Sequence, residues 1–177
     1  EEHEEAIESD LDLDIHNTPN GCSAAEGKEY FCDFVEAVIG NSDLYGDDPD
    51  ARKRFLQRGG LEVHTTLNPD LQKAANEEVS KTIKKDDASG AGHTIVTVEP
   101  GTGKVLAMTQ NRNYTVQEVE DDPSSTSMNY NVDLKHHGGG GFQVGSTWKP
   151  FVLAQWLTAG KTLNAGVNAT KRNFPAG

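Results

Sequence analysis

The sequence predicts a mixed chain of the α/β (α+β) class, and three observations carry that reading. Two β-rich runs, residues 93–99 and 104–109, face each other across the Pro100–Gly103 turn as a hairpin. Asn68 followed by Pro69 supplies a cap and a first-turn proline for a helix with Leu71, Ala74, Ala75 and Val79 on one face. Residues 29–39 set Tyr30, Phe31, Phe34, Val35 and Val38 at helical spacing.

Taken in order, residues 1–14 are dense in acids and hold no Lys or Arg. They read as the tail of a helix running into an extended linker. Residues 16–27, rich in Asn, Pro, Gly and Ser, form a loop before the first helix. A second loop spans 41–50, where Pro49 opens a short helix through Leu56. Gly59-Gly60 marks a boundary, and 61–67 alternates Leu61, Val63, Thr65 and Leu67 with polar residues, the pattern of a half-buried strand. The helix after Asn68 ends in the lysine-rich 81–85, a charge that suits its negative end. Residues 86–92 turn into the hairpin. Residues 111–142 are polar and end in four glycines, long for a structureless loop, which points to a mobile or functional segment. Residues 146–157 form a last helix with Phe151, Val152 and Trp156, and 158–177 show little pattern.

A formal net charge of -12 and a pI near 4.8 argue against a nucleic-acid partner, which needs clustered cations. They also disfavour docking on anionic lipid. No stretch approaches the ~20 apolar residues of a membrane span, and the start Glu1-Glu2-His3 is neither an initiating Met nor a signal peptide. The chain is expected to be an excerpt of a longer protein. Cys22 and Cys32 are too few for a zinc site and are not spaced as Cys-x-x-Cys. A short-loop disulfide is the best reading, and it implies an oxidising, extracytoplasmic setting.

Several patterns carry no chemistry. Gly101-Thr102-Gly103-Lys104 lacks the helix of a phosphate loop, and Gly138–Gly141 lacks dinucleotide spacing. His136-His137 has no third ligand at useful spacing, and the sequons at Asn113 and Asn168 are of a kind common by chance. No cofactor or metal is expected.

Chemistry concentrates at Gly145-Ser146-Thr147-Trp148-Lys149-Pro150-Phe151. Ser146 and Lys149 stand three apart at a helix start, hence on one face. A lysine there, partly desolvated, can lose its proton and serve as base to an activated serine nucleophile. The bland alternative makes Ser146 an N-cap and Lys149 a solvated residue. Against it, a cation near a helix start is electrostatically unfavourable.

Four segments together resemble class A penicillin-binding proteins of the actinobacterial type. Gly59-Gly60-Leu61-Glu62-Val63-His64-Thr65-Thr66-Leu67-Asn68-Pro69-Asp70-Leu71-Gln72-Lys73-Ala74-Ala75 resembles the start of their transpeptidase domain. Residues 96–108 are similar to its first sheet hairpin, and 145–151 to its nucleophile motif. Asn20-Gly21-Cys22 with Tyr30-Phe31-Cys32-Asp33-Phe34-Val35 looks like the inter-domain linker, in which two cysteines pair. The resemblance implies a penicilloyl-serine transferase (β-lactamase-like) fold, with a linker at 1–58 and the N-terminal part of the transpeptidase domain at 59–177. It implies that Ser146 and Lys149 are catalytic. The implied substrates are peptidoglycan stem peptides ending in D-Ala-D-Ala, with β-lactams bound covalently at Ser146. It also implies a membrane-anchored parent that carries a glycosyltransferase.

Two departures are mild: Val144 where proline is common, and Trp148 for Phe. A third weighs more. No Ser-x-Asn and no Lys-Thr-Gly follow Ser146, so the remainder of the transpeptidase domain is expected elsewhere. Competing readings are a serine β-lactamase or carboxypeptidase, and a non-catalytic β-lactam sensor or cell-wall scaffold.

Overall fold

The computed structural model describes residues 21–117, 122–168 and 170, and within them the chain is a mixture of helices and small sheets. The acidic segment 1–14 lies outside the described residues. The chain forms two compact units, residues 1–141 and 142–177.

In the first unit, a 3-10 turn at Gly21–Ala24 precedes helix α1, Glu29–Gly40. Cys22 and Cys32 form a disulfide that ties the two together. Helix α2, Pro49–Gln57, starts on Asp48, whose carboxylate accepts from Ala51 N–H at 2.7 Å. Helix α3, Pro69–Thr82, starts as the sequence predicts. Asn68 Oδ1 accepts from the N–H groups of Asp70 and Leu71, and Pro69 occupies the first turn. Strands β1, Thr94–Val98, and β2, Val105–Gln110, form the antiparallel hairpin, with a register shift at Thr97/Val98. A minimal parallel pair, β3 (Asn113–Tyr114) with β4 (Ser125–Thr126), follows.

The core is Tyr30 and Phe31 of α1 against Met108 of β2, with Phe34, Val35, Leu67, Val105, Tyr114 and Val132 around them. The cysteine-bearing segment is thus built into the sheet's own core. Tyr30 and Tyr114 meet edge to face at 5.3 Å, an arrangement favoured by the ring quadrupoles.

Four expectations need correction. Residues 61–67 pair in no sheet; Thr66 Oγ1 donates to Val105 O, Leu67 packs on the core cluster, and Asn68 N–H, just after the run, donates to Leu106 O. Helix α3 stops at Thr82, ahead of Lys84 and Lys85, because Ile83 turns extended. Its inward face is Gln72, Ala75 and Val79, while Leu71 and Ala74 are exposed. Gln72 earns its place by bonding. Its Oε1 accepts from Met108 N–H (2.9 Å) and its Nε2 donates to Met108 O (3.0 Å), as a neighbouring strand would. Likewise α1 buries Asp33, Ala37 and Ile39 but leaves Val38 exposed.

The described part of the polar stretch after β2 is packed, not structureless. Gln110, Asn111, Arg112 and Asn129 are all buried. Asn111 Oδ1 accepts from His93 N–H at 2.7 Å, and Gln110 Oε1 accepts from Tyr130 N–H at 2.8 Å. Arg112 donates to the carbonyls of Gly90 and Asn111. Most buried polar groups are bonded in this way, so a polar composition here goes with an ordered segment.

Candidate functional site

The serine and lysine lie in the second unit, on one continuous helical run. Gly145–Trp148 is a 3-10 turn and α4, Lys149–Thr158, continues it. Gly145 takes φ +50°, a left-handed turn into the helix that suits glycine. The 3-10 turn matters for chemistry. Its defining bond is present between Lys149 N–H and Ser146 O. Side chains three apart on a 3-10 turn eclipse one another, so Lys149 stands in line with Ser146 along the helix axis. Thr147 N–H donates to Val144 O (3.1 Å), while Ser146 N–H precedes it in the first turn, where donors lack helical acceptors.

Ser146 is not an ordinary cap. The helix has no side-chain cap bond, and Ser146 sits inside the helical run. Among the described residues, neither Ser146 Oγ nor Lys149 Nζ has a hydrogen-bond or ion-pair partner, and both residues are exposed. The desolvation expected for Lys149 is therefore not supplied by the described residues of its own unit.

Helix α4 presents apolar side chains on every side. Phe151, Val152, Leu153 and Leu157 are about half exposed, at 60, 55, 45 and 47 %. Trp148, Phe151, Val152 and Trp156 line a groove of about 680 Å³ beside the Lys149 turn. The rings of Trp148 and Phe151 meet at a tilt, 5.4 Å apart, and Trp156 Nε1 donates to Thr162 O at 2.9 Å. A helix apolar all round belongs inside a larger fold.

Sequence reasoning passed over one constellation, in the first unit. Asp33, only 4 % exposed, accepts from Tyr114 Oη (3.3 Å), Asn129 Nδ2 (3.3 Å) and His137 Nδ1 (3.0 Å). Burial, then the nearby Asp33 charge, pushes the Tyr114 phenol above the ordinary tyrosine range. The available signal was an acid among apolar residues on the inward face of α1. His136 pairs separately with Asp133 at 2.6 Å and holds that carboxyl below its usual range.

Comparison with known proteins gives a distant likeness. The chain is 29 % identical over 124 residues to the probable peptidoglycan D,D-transpeptidase PenA of Neisseria meningitidis, in both serogroup A and serogroup B strains. It is equally similar to the same protein of Neisseria gonorrhoeae. The match takes in 69 % of this chain and 20 % of each relative, so the chain spans about a fifth of the length of the curated relatives it matches. No family model and no solved structure matches. The likeness is to penicillin-binding-protein-type transpeptidases at family level, and no finer. No helix among the described residues is long and apolar enough to cross a membrane.

Proposed function

We propose that this chain is part of a peptidoglycan D,D-transpeptidase, with Ser146 as nucleophile and Lys149 as its base. The observation that carries the proposal is the 3-10 turn, which aligns Lys149 with a serine that caps nothing. The likeness to transpeptidases supports the reaction class.

In this reading Lys149 takes the Ser146 proton as Oγ attacks the carbonyl of a D-Ala-D-Ala stem peptide. The Ser146 N–H, free in the first turn, would stabilise the oxyanion. Collapse of the tetrahedral intermediate breaks the peptide bond, and the proton leaves with D-alanine. An amine of a neighbouring strand then takes the acyl group and frees Ser146. A β-lactam would acylate the same oxygen without a leaving group to diffuse away.

The finer reading follows the resemblance. Residues 1–58 are the disulfide-bearing linker and 59–177 the N-terminal part of a transpeptidase domain of penicilloyl-serine transferase fold. The parent is a bifunctional class A protein of the actinobacterial type, outside the cytoplasm and membrane-anchored. The Cys22–Cys32 disulfide suits that compartment. The apolar surround of α4 and the exposure of Lys149 fit a site completed by further protein, which would supply the desolvation a base needs.

Release of D-alanine from a pentapeptide ending in D-Ala-D-Ala tests this in the protein that carries the chain. Lys149→Ala should slow release at least ~100-fold, the scale of a lost general base. Release at the parent rate would remove Lys149 from the mechanism.

A further inference from the structure

We propose that residues 11–15 of the chain's own N-terminal segment dock as a β-strand on residues 61–65, closing the apolar groove between that run and α1. Both partners belong to the first unit, and neither depends on the function proposed above.

Residues 61–66 belong to no helix or sheet, and among the described residues their backbone N–H and C=O groups have no hydrogen-bond partner. An unpaired run of this kind is a template for another strand. Its side chains alternate, Leu61, Val63 and Thr65 against Glu62, His64 and Thr66, and Leu61 and Val63 are left 41 and 49 % exposed. Two hollows of about 440 and 310 Å³ share Phe31, Val35, Ile39, Val63 and Thr65 in their walls. Apolar surface of α1 and of the run thus faces open space, a patch of the kind that marks a docking site.

Residues 1–20 lie outside the described residues, and their sequence suits this surface. Asp10-Leu11-Asp12-Leu13-Asp14-Ile15 alternates strictly, which gives a strand one apolar and one acidic face. The segment also starts at the groove's edge. It joins the described chain at Gly21, and the disulfide holds the next residue, Cys22, 5.4 Å (Cα to Cα) from Cys32 in the wall of the smaller hollow. Residues 16–20 connect Ile15 to Gly21 and span up to about 20 Å when extended, enough to turn back over the groove. Charge agrees. Residues 1–15 hold eight acids and no Lys or Arg. Lys28 lines the smaller hollow, and Lys53, Arg54 and Arg58 lie exposed on and just after α2, which supplies Leu56 to the same wall. The one acid in that wall is Glu36. A strand tethered this close competes at high effective concentration against any partner from solution.

Amide hydrogen exchange of residues 61–66 reads the docking in the protein that carries the chain, beside a variant with Leu11→Ser, Leu13→Ser and Ile15→Ser. None of the three belongs to the core cluster, so exchange of β2 should not change. Docking predicts slow exchange at alternate residues of 61–66 in the parent, as a strand paired on one edge shows, and exchange about tenfold faster or more in the serine variant. Replacing Asp10, Asp12 and Asp14 by Asn keeps the apolar face and should cost less protection than the serines do. Parent amides that exchange at free-peptide rates, or protection that survives the serine substitutions, would overturn the docking. Protection that grows with protein concentration would assign the groove to a second copy of the chain and overturn it as well. Nuclear Overhauser contacts in the parent decide the matter without any variant: contacts between 11–15 and 61–65 are expected, and their absence would overturn the docking.

Discussion

The two units solve opposite problems. The first spends its polar residues inside: Gln72, Asp33, Asn111, Arg112 and Asn129 are buried and bonded, and its apolar cluster is small. The second carries its apolar residues outside, with Phe151, Val152, Leu153 and Leu157 half exposed along α4. A polar composition can thus mark an ordered scaffold, and an apolar one can mark a surface made for enclosure. The candidate nucleophile lies on the second kind.

The most disruptive test of this contrast is Gln72→Ala. It would leave the N–H and C=O of Met108 buried without partners and open a cavity on the inward face of α3. A loss of about 3 kcal/mol is expected, near the sum of an unpaired-group penalty and lost packing. Exchange of the β2 amides should register it. Emission from Trp148 and Trp156, the chain's two tryptophans, should not, because both lie in the second unit. A matching change in tryptophan emission would show that the units unfold together.

Reduction of Cys22–Cys32 should come next, at about 2–3 kcal/mol for so short a loop. The disulfide braces the start of α1, and Gly27 O just before it accepts from both Gln72 Nε2 and Asn76 Nδ2. Faster exchange should therefore spread from α1 to α3. If it stayed within residues 21–32, the linker would be a separate module after all.

Alkaline pH supplies the gentlest test. Tyr30 is 4 % exposed and its hydroxyl donates to Thr126 O. Burial pushes this phenol well above the ordinary tyrosine range. The fold therefore holds the neutral form, and its contribution is complete below the ordinary value of about 10. Above that value the unfolded phenol ionises and stability falls as pH rises. Tyr30→Phe should flatten this decline between pH 10 and 12, seen by denaturant titration; a decline as steep as the parent's would assign it to Tyr114.

What was legible in the sequence is what local chemistry dictates. The hairpin follows from its turn, α3 starts where Asn68 and Pro69 say it must, and the Ser146–Lys149 spacing is the same on paper as on the helix. What was not legible depends on partners distant in the chain. Leu61, Val63, Thr65 and Leu67 alternate as a strand should, yet a strand exists only if another backbone pairs with it. Gln72 looks like a surface residue until Met108 is known to lie opposite. The 111–142 stretch reads as loop because its polar side chains bond to backbone N–H and C=O groups, which every sequence has and none displays. For the same reason, the exposure of Lys149 could not be read from its neighbours in sequence.

The central claim, that Ser146 is an acyl-accepting nucleophile, is tested most directly by intact mass and peptide mapping after incubation with benzylpenicillin. The account predicts one adduct, on the peptide holding Ser146, that Ser146→Ala abolishes while leaving β2 exchange unchanged. No adduct on a preparation that demonstrably contains a Lys-Thr-Gly motif, or an adduct that survives Ser146→Ala, would contradict it.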